Sequence, residues 1–172
     1  MYLSNYKRKE GLNYAPFFIM TSEEKIQELL SELFVDSEYF LVDIVTNGKR
    51  IEVYIDGDAN IKIDKCVEVS RYLEESLETG GFVGENYLLE VSSPGMTNPI
   101  KVMRQYRKYV GRQLEILLED GTRKDGELKA VDDNKLTLEV AVKIGKKKKD
   151  IELRLVDVLL EDIKVAKRKI TF

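Results

Sequence analysis

Two sets of residues in this chain have the types and spacing to do chemistry. The first is a trio of oxygen donors at alternate positions, Asp56, Asp58 and Asn60. They match the first three ligand positions of a calcium loop. The match then fails, because Ile61 stands where the turn needs glycine and Val67 where a bidentate glutamate closes the shell. No metal site is read, and the segment is taken as a turn with Asp64 capping the next helix. The second set is cationic. Lys101, Arg104 and Lys108 recur at helical spacing, with Arg107 beside them, and Lys146, Lys147, Lys148 and Lys149 form a run. Cations so arranged rest on phosphates or form a solvated face. A lysine-rich tip between strands also serves to protect an edge.

Covalent chemistry finds little support. The chain has no histidine, the commonest general base and metal ligand. Its one cysteine, Cys66, lies on an apolar helical stripe with no basic activator in view and reads as core. Glu90 is the only carboxylate in the central stretch and reads as a polar-face strand residue. No glycine-rich phosphate loop, nucleophile elbow or zinc spacing is present. The expectation is a protein that is not an enzyme and carries no cofactor. The single cysteine fits a reducing cytoplasm, and no apolar run approaches a membrane span.

Charge divides the chain. Residues 21–98 hold 6 basic against 17 acidic side chains, net −11, and residues 99–172 hold 19 against 13, net +6. Such asymmetry implies two domains with different partners. The expected boundaries are a disordered extension over 1–20, an α/β domain over 21–98 and a second domain over 99–172. Met20-Thr21-Ser22-Glu23-Glu24 reads as a protein start, so native translation is expected to begin at Met20.

The elements that must hold these residues follow from periodicity. Thr21 and Glu24 have capping-box spacing, and Ile26, Leu29, Leu30, Leu33 and Phe34 make a helical stripe. Tyr39 to Val45 alternates, with Phe40, Val42 and Ile44 expected on one face. Asn47-Gly48 marks a hairpin, and Ile51, Val53 and Ile55 line the returning strand. A helix carrying Cys66, Val69, Ser70, Leu73 and Leu77 follows and ends at Gly80-Gly81. Leu89 and Val91 then share one face of a third strand. Helix, strand, strand, helix, strand gives a mixed three-stranded sheet with two helices on one face. After it comes Ser92-Ser93-Pro94-Gly95-Met96-Thr97-Asn98-Pro99. Pro94-Gly95 suits a type II turn, and Pro99 pushes Asn98 out of the α region. This is either a rigid connector or an exposed recognition loop, with Ser92, Ser93, Pro94, Gly95, Asn98 and Pro99 as its binding residues.

From Lys101 to Tyr109 a short helix is expected, with Met103, Tyr106 and Val110 opposite its cations. Then short strands alternate: Leu114, Ile116, Leu118; Leu128, Ala130; Leu136, Leu138, Val140; Ile151, Leu153, Leu155. Asp120-Gly121 and Asp132-Asp133-Asn134 turn between them. Regular short strands with tight turns imply a small β-barrel. The fold class is thus α+β, an α-β-β-α-β domain followed by a small barrel.

Leu89-Glu90-Val91-Ser92-Ser93-Pro94-Gly95, with Pro99 and Ile100, resembles the signature of the RimP family of bacterial ribosome maturation factors. Tyr54-Ile55-Asp56 and the segment Ile63 to Arg71 are similar to family segments too. The family reads acidic then basic where this chain has Thr97-Asn98. The resemblance implies an SH3-like or Sm-like carboxy-terminal barrel and action, as a monomer, on free or immature small ribosomal subunits. It further implies contact with ribosomal RNA and small-subunit ribosomal proteins, the twelfth among them. A protein–protein adaptor whose barrel binds a peptide and touches no RNA is the alternative.

Overall fold

The computed structural model describes residues 20–145 and 151–170. The expected extension before Met20 and the lysines 146–149 lie outside the described residues. Twelve elements follow in order: α1 (Ser22–Leu33), β1 (Tyr39–Asn47), β2 (Arg50–Gly57), α2 (Ile63–Thr79), β3 (Leu88–Ser92), α3 (Met103–Lys108), β4 (Gln113–Leu118), β5 (Arg123–Val131), β6 (Lys135–Lys143), β7 (Ile151–Leu159), a 3-10 turn (Leu160–Asp162) and β8 (Ile163–Arg168). The strands form two sheets. One is mixed, in the order β1-β2-β3, and the other is antiparallel, in the order β7-β6-β5-β4-β8.

The expected start of α1 is present in full. Thr21 Oγ1 accepts from the Glu24 N–H, and the Glu24 carboxylate accepts from the Thr21 N–H at 2.7 Å. Two of the orphan donors of the helix start are thereby satisfied. Ile26, Leu29, Leu30 and Phe34 bury against Val69, Leu73 and Leu77 of α2 and against Ile51, Val53 and Ile55 of β2. Asp64 does not cap α2. The helix begins two residues earlier, with Lys62 at the cap position, and Asp64 lies in its first turn, where its charge favours the helix dipole. The hairpin turn also sits one residue on: Asn47 pairs with Arg50, so Gly48 (φ +63°) and Lys49 make the loop.

The largest departure from the expected pattern is in β1. Leu41 pairs with Ile55 and Asp43 with Tyr54, so Val42 is an extra residue, a β-bulge. Strict alternation would put Phe40, Val42 and Ile44 together. The bulge shifts the parity, so Tyr39, Leu41 and Ile44 pack on the helical core. Phe40 and Val42, both 7% exposed, belong to neither core cluster and turn away from the helices with Asp43. One inserted residue therefore gives this sheet a second face with something to hold.

The second sheet has its own core of Leu114, Ile116, Leu128, Leu136, Leu138, Val158 and Ala166, joined by Ile100 and Tyr106. It too carries a parity shift: a bulge between Leu128 and Ala130 exposes Ala130 and turns Val131 inward. In β7 the register pairs Val156 with Leu138 and Val158 with Leu136. That choice leaves Ile151, Leu153 and Leu155, expected as the buried set, 54–66% exposed on the outer face of an edge strand. The strand holds two apolar sets of opposite parity, and the core takes Val158, with Val156 half-buried on the same face. Val110 is exposed as well, because α3 ends at Lys108.

Gly126 marks the tightest approach in this sheet. A Cβ there would lie 2.7 Å from the Glu139 carbonyl oxygen and 2.9 Å from Val140 Cγ1. Gly126→Ala is expected to destabilise the protein by about 1–3 kcal/mol, read from the midpoint of urea unfolding. An unchanged midpoint would mean that β5 and β6 separate there without cost.

Candidate functional site

The expected loop residues and the cations of the α3 segment lie where the two sheets meet, among the described residues. α3 is only six residues long, too short to hold itself together. Its anchor is Gln105, 2% exposed, whose side-chain oxygen accepts from the N–H of Lys101 at 2.9 Å and of Val102 at 3.3 Å. Tyr106 fixes the other side by burying its ring in the core of the second sheet, and burial pushes its hydroxyl pKa up to about 12. With both ends pinned, the cationic side of α3 faces the open side of the first sheet.

That arrangement changes what Lys101, Arg104 and Lys108 do. They read in sequence as a phosphate-facing surface or a solvated face, but each is engaged by a carboxylate of the first unit. Lys108 Nζ donates to Asp56 Oδ1 at 2.7 Å, with the two side chains only 14% and 5% exposed. Arg104 holds Asp58 with two parallel bonds, Nε to Oδ1 at 2.9 Å and NH2 to Oδ2 at 2.6 Å. The same guanidinium donates to the Ser37 and Tyr39 carbonyls at 2.8 and 3.3 Å and lies 4.7 Å from the Phe40 ring centre. Lys101 pairs with Asp43. Opposite charges from distant parts of the chain thus meet as a clasp. The fork geometry explains why Arg, not Lys, stands at position 104.

The clasp also disposes of the donor trio. Asp56 and Asp58 spend their oxygens on Lys108, on Arg104 and on the Gly57 N–H at 2.8 Å. No group of three or more metal-ligating side chains occurs among the described residues. The Arg104 guanidinium holds the Asp58 carboxyl below its ordinary value, against a smaller opposing effect of burial. Cys66 is half-buried on α2, and burial pushes its thiol up, away from the reactive thiolate. Glu90 lies on the open face of β3 and accepts from Arg50 NH2 at 2.6 Å.

The connecting loop runs along this junction. Ser92 ends β3 and is exposed with Ser93, Met96, Thr97 and Asn98, whereas Pro94 is buried. Gly95 has φ +70°, as the turn reading requires. Pro94 walls off two clefts. One of about 250 Å³ is lined by Val42, Asp43, Tyr54, Asn98, Pro99 and Lys101. The other, of about 160 Å³, reaches to Lys108, Tyr109 and Arg168. Beyond the loop Pro99 bridges to Lys167, and the Ile100 N–H donates to the Ala166 carbonyl at 2.8 Å. The connector is therefore stitched to β8. Sequence reading missed Arg168 and Tyr109 as members of this junction: Arg168 is 72 residues along the chain from Met96, and Tyr109 lies just past the end of α3.

Removing Lys108 strands a buried carboxylate, which costs about 3–5 kcal/mol, whereas removing Lys101 breaks an exposed pair worth about 0–1 kcal/mol. Urea unfolding should therefore rank Lys108→Ala well below Lys101→Ala, with Asp56→Asn restoring part of the stability missing in Lys108→Ala. Equal effects would refute the buried role of the pair. The depressed Asp58 carboxyl adds a pH dependence. Its contribution is complete above the unfolded carboxylate range and disappears as pH falls through its lower folded value. Acid titration of Asp58→Asn should accordingly show a shallower decline of stability below about pH 4 than the parent.

Comparison with known proteins agrees with this geometry. The family model described as the RimP N-terminal domain matches residues 25–97. A protein of Cytophaga hutchinsonii named ribosome maturation factor RimP is 40% identical over 149 residues, 83% of this chain and 89% of that protein. Its namesakes from Porphyromonas gingivalis and Christiangramia forsetii are 35% and 30% identical, each over 87% of this chain and 99% of their own length. This chain, with its mixed α/β unit, its Pro94-Gly95 turn and the unit that follows, belongs to the RimP family.

Proposed function

We propose that this chain is a maturation factor for the small ribosomal subunit, binding free or immature particles in the cytoplasm as a monomer and performing no covalent chemistry. The observation that carries the reading is the similarity to relatives named ribosome maturation factor along 89–99% of their length. The charge division supports it. A unit spanning 99–172 with net +6 suits an RNA backbone, and one spanning 21–98 with net −11 suits basic ribosomal proteins. The order β7-β6-β5-β4-β8, with a 3-10 turn before the last strand, supports an SH3-like barrel for the second unit. Among the described residues no helix is long and apolar enough to cross a membrane.

One observation favours the second reading, an adaptor that binds a peptide and no RNA. Ile151, Leu153 and Leu155 lie bare on the edge strand β7, the kind of surface to which an extended peptide adds.

Sedimentation of tagged full-length protein in cell lysate separates the two. The protein should travel with free small subunits and leave them as salt rises. Neutralising Lys146 to Lys149 should flatten the slope of log affinity against log salt by about 0.7–0.9 for each phosphate left without its lysine. Co-migration absent at every salt concentration, or binding indifferent to salt, would favour the adaptor.

A further inference from the structure

The clasp neutralises the α3 cations near the connecting loop, but it does not reach the end of β8. Arg168, the last residue of β8, pairs with no carboxylate among the described residues. Its guanidinium lies 5.9 Å from the Tyr109 ring centre, and NH1 approaches Met96 Sδ at 3.2 Å, a weak acceptor. Both neighbours orient the group without satisfying it. It lines the 160 Å³ cleft beside Pro94 and Gly95. On the far wall stands the Lys108–Asp56 pair, which sums to zero charge, so the cleft keeps the net positive charge of Arg168.

The loop supplies a second, independent set of donors. The backbone N–H groups of Gly95, Met96, Thr97 and Asn98 donate to no acceptor among the described residues. Of these, Gly95 and Met96 line the cleft together with Arg168, and two successive unbonded amides beside an unsatisfied guanidinium are an anion-binding arrangement. A Cβ at Gly95 would meet nothing within 4 Å, so the space over the turn is open. Glycine is required there by its φ of +70° alone. The cleft is well under the roughly 300 Å³ that small-molecule sites begin at, and it holds about five waters at about 30 Å³ each. One phosphate group fits this space; a cofactor does not.

We propose that the Pro94–Gly95 cleft binds a single backbone phosphate of single-stranded RNA, gripped by the Arg168 guanidinium and the free amides of Gly95 and Met96. The inference deepens the ribosomal reading and rests on it for the source of the phosphate. The exposed positions on either side, Ser92, Ser93 and Thr97, leave room for a chain to enter and leave. A free anion would gain nothing from that openness.

The test uses the full chain labelled with nitrogen-15 and titrated with a five-nucleotide oligouridylate, with uridine and with inorganic phosphate. The oligonucleotide should shift the amides of Gly95 and Met96 and the Arg168 Nε resonance saturably, and uridine should not. Arg168→Gln should weaken binding at least about tenfold, and Arg168→Lys, which keeps the charge and a long stem, should fall between. Arg123→Ala, on the exposed part of β5, should change nothing. No shifts at the loop, or equal weakening in Arg168→Gln and Arg123→Ala, would overturn the site. Equal affinity for inorganic phosphate would overturn RNA as its source. Sedimentation with free small subunits, run on the same samples, keeps the two readings apart. Particle binding that persists without loop shifts sinks only the cleft, and loop shifts without particle binding sink only the ribosomal function.

Discussion

Asp56 is a carboxylate held at 3% exposure at the end of a buried strand, and a charge so placed needs a cation within reach. Lys108 is that cation, and it comes from the other half of the chain. The rest of the junction exists to deliver it. Gln105 caps a helix too short to persist alone, Tyr106 roots that helix in the second core, and the connector is pinned by Pro94 and by its pairing with β8. Arg104 then closes around Asp58 and two carbonyls, which converts one buried pair into a directional joint.

The joint alters how the charge of this family member should be understood. The net charges of the two halves are real, but part of each is directed inward. Lys101, Arg104 and Lys108 meet Asp43, Asp58 and Asp56, so the helix that carries the clearest basic pattern presents little free charge. What remains outward lies elsewhere on the second unit, on strands and strand ends. Burial keeps the Lys108–Asp56 pair less sensitive to salt than the two exposed pairs of the clasp. The three pairs together set the two charged surfaces in one relative orientation. For a chain whose two units carry opposite net charge, orientation of that kind matters more than the strength of either surface's contacts alone.

The legibility of the sequence divides along physical lines. The α1 capping box, the helix-core stripes and the β2 alternation are local patterns, and each stands where the sequence places it. The bulges in β1 and β5 are not local in that sense. One extra residue reverses every side chain after it, and nothing in Leu41-Val42-Asp43 announces the insertion. In β7 the apolar residues change parity midway, and only the register with β6 decides which set is buried. The clasp was hidden for another reason. Asp56 and Lys108 are separated by a helix, a strand and a two-proline loop, and a cation on a helix face looks the same whether its partner is a phosphate or a carboxylate. The donor trio did carry a usable signal, since an acidic turn that fails as a metal loop still asks for cations. The match of family signature to the Pro94–Gly95 turn was readable because φ constraints are written in residue type.

The pairing of Pro99 and Ile100 with β8 has a consequence for how the molecule is made. The α/β unit draws every strand and helix from residues 22–92 and can close its core while later residues are still being synthesised. The second sheet cannot. Its strand β4 waits for β8, the last of the described strands to emerge, and the connector waits with it. During translation the chain therefore passes through a stage in which one finished unit trails an incomplete sheet with bare aliphatic edges, a state prone to misassociation. The basic and acidic side chains of the clasp, still apart at that stage, would hold the unfinished segment soluble until its final residues arrive.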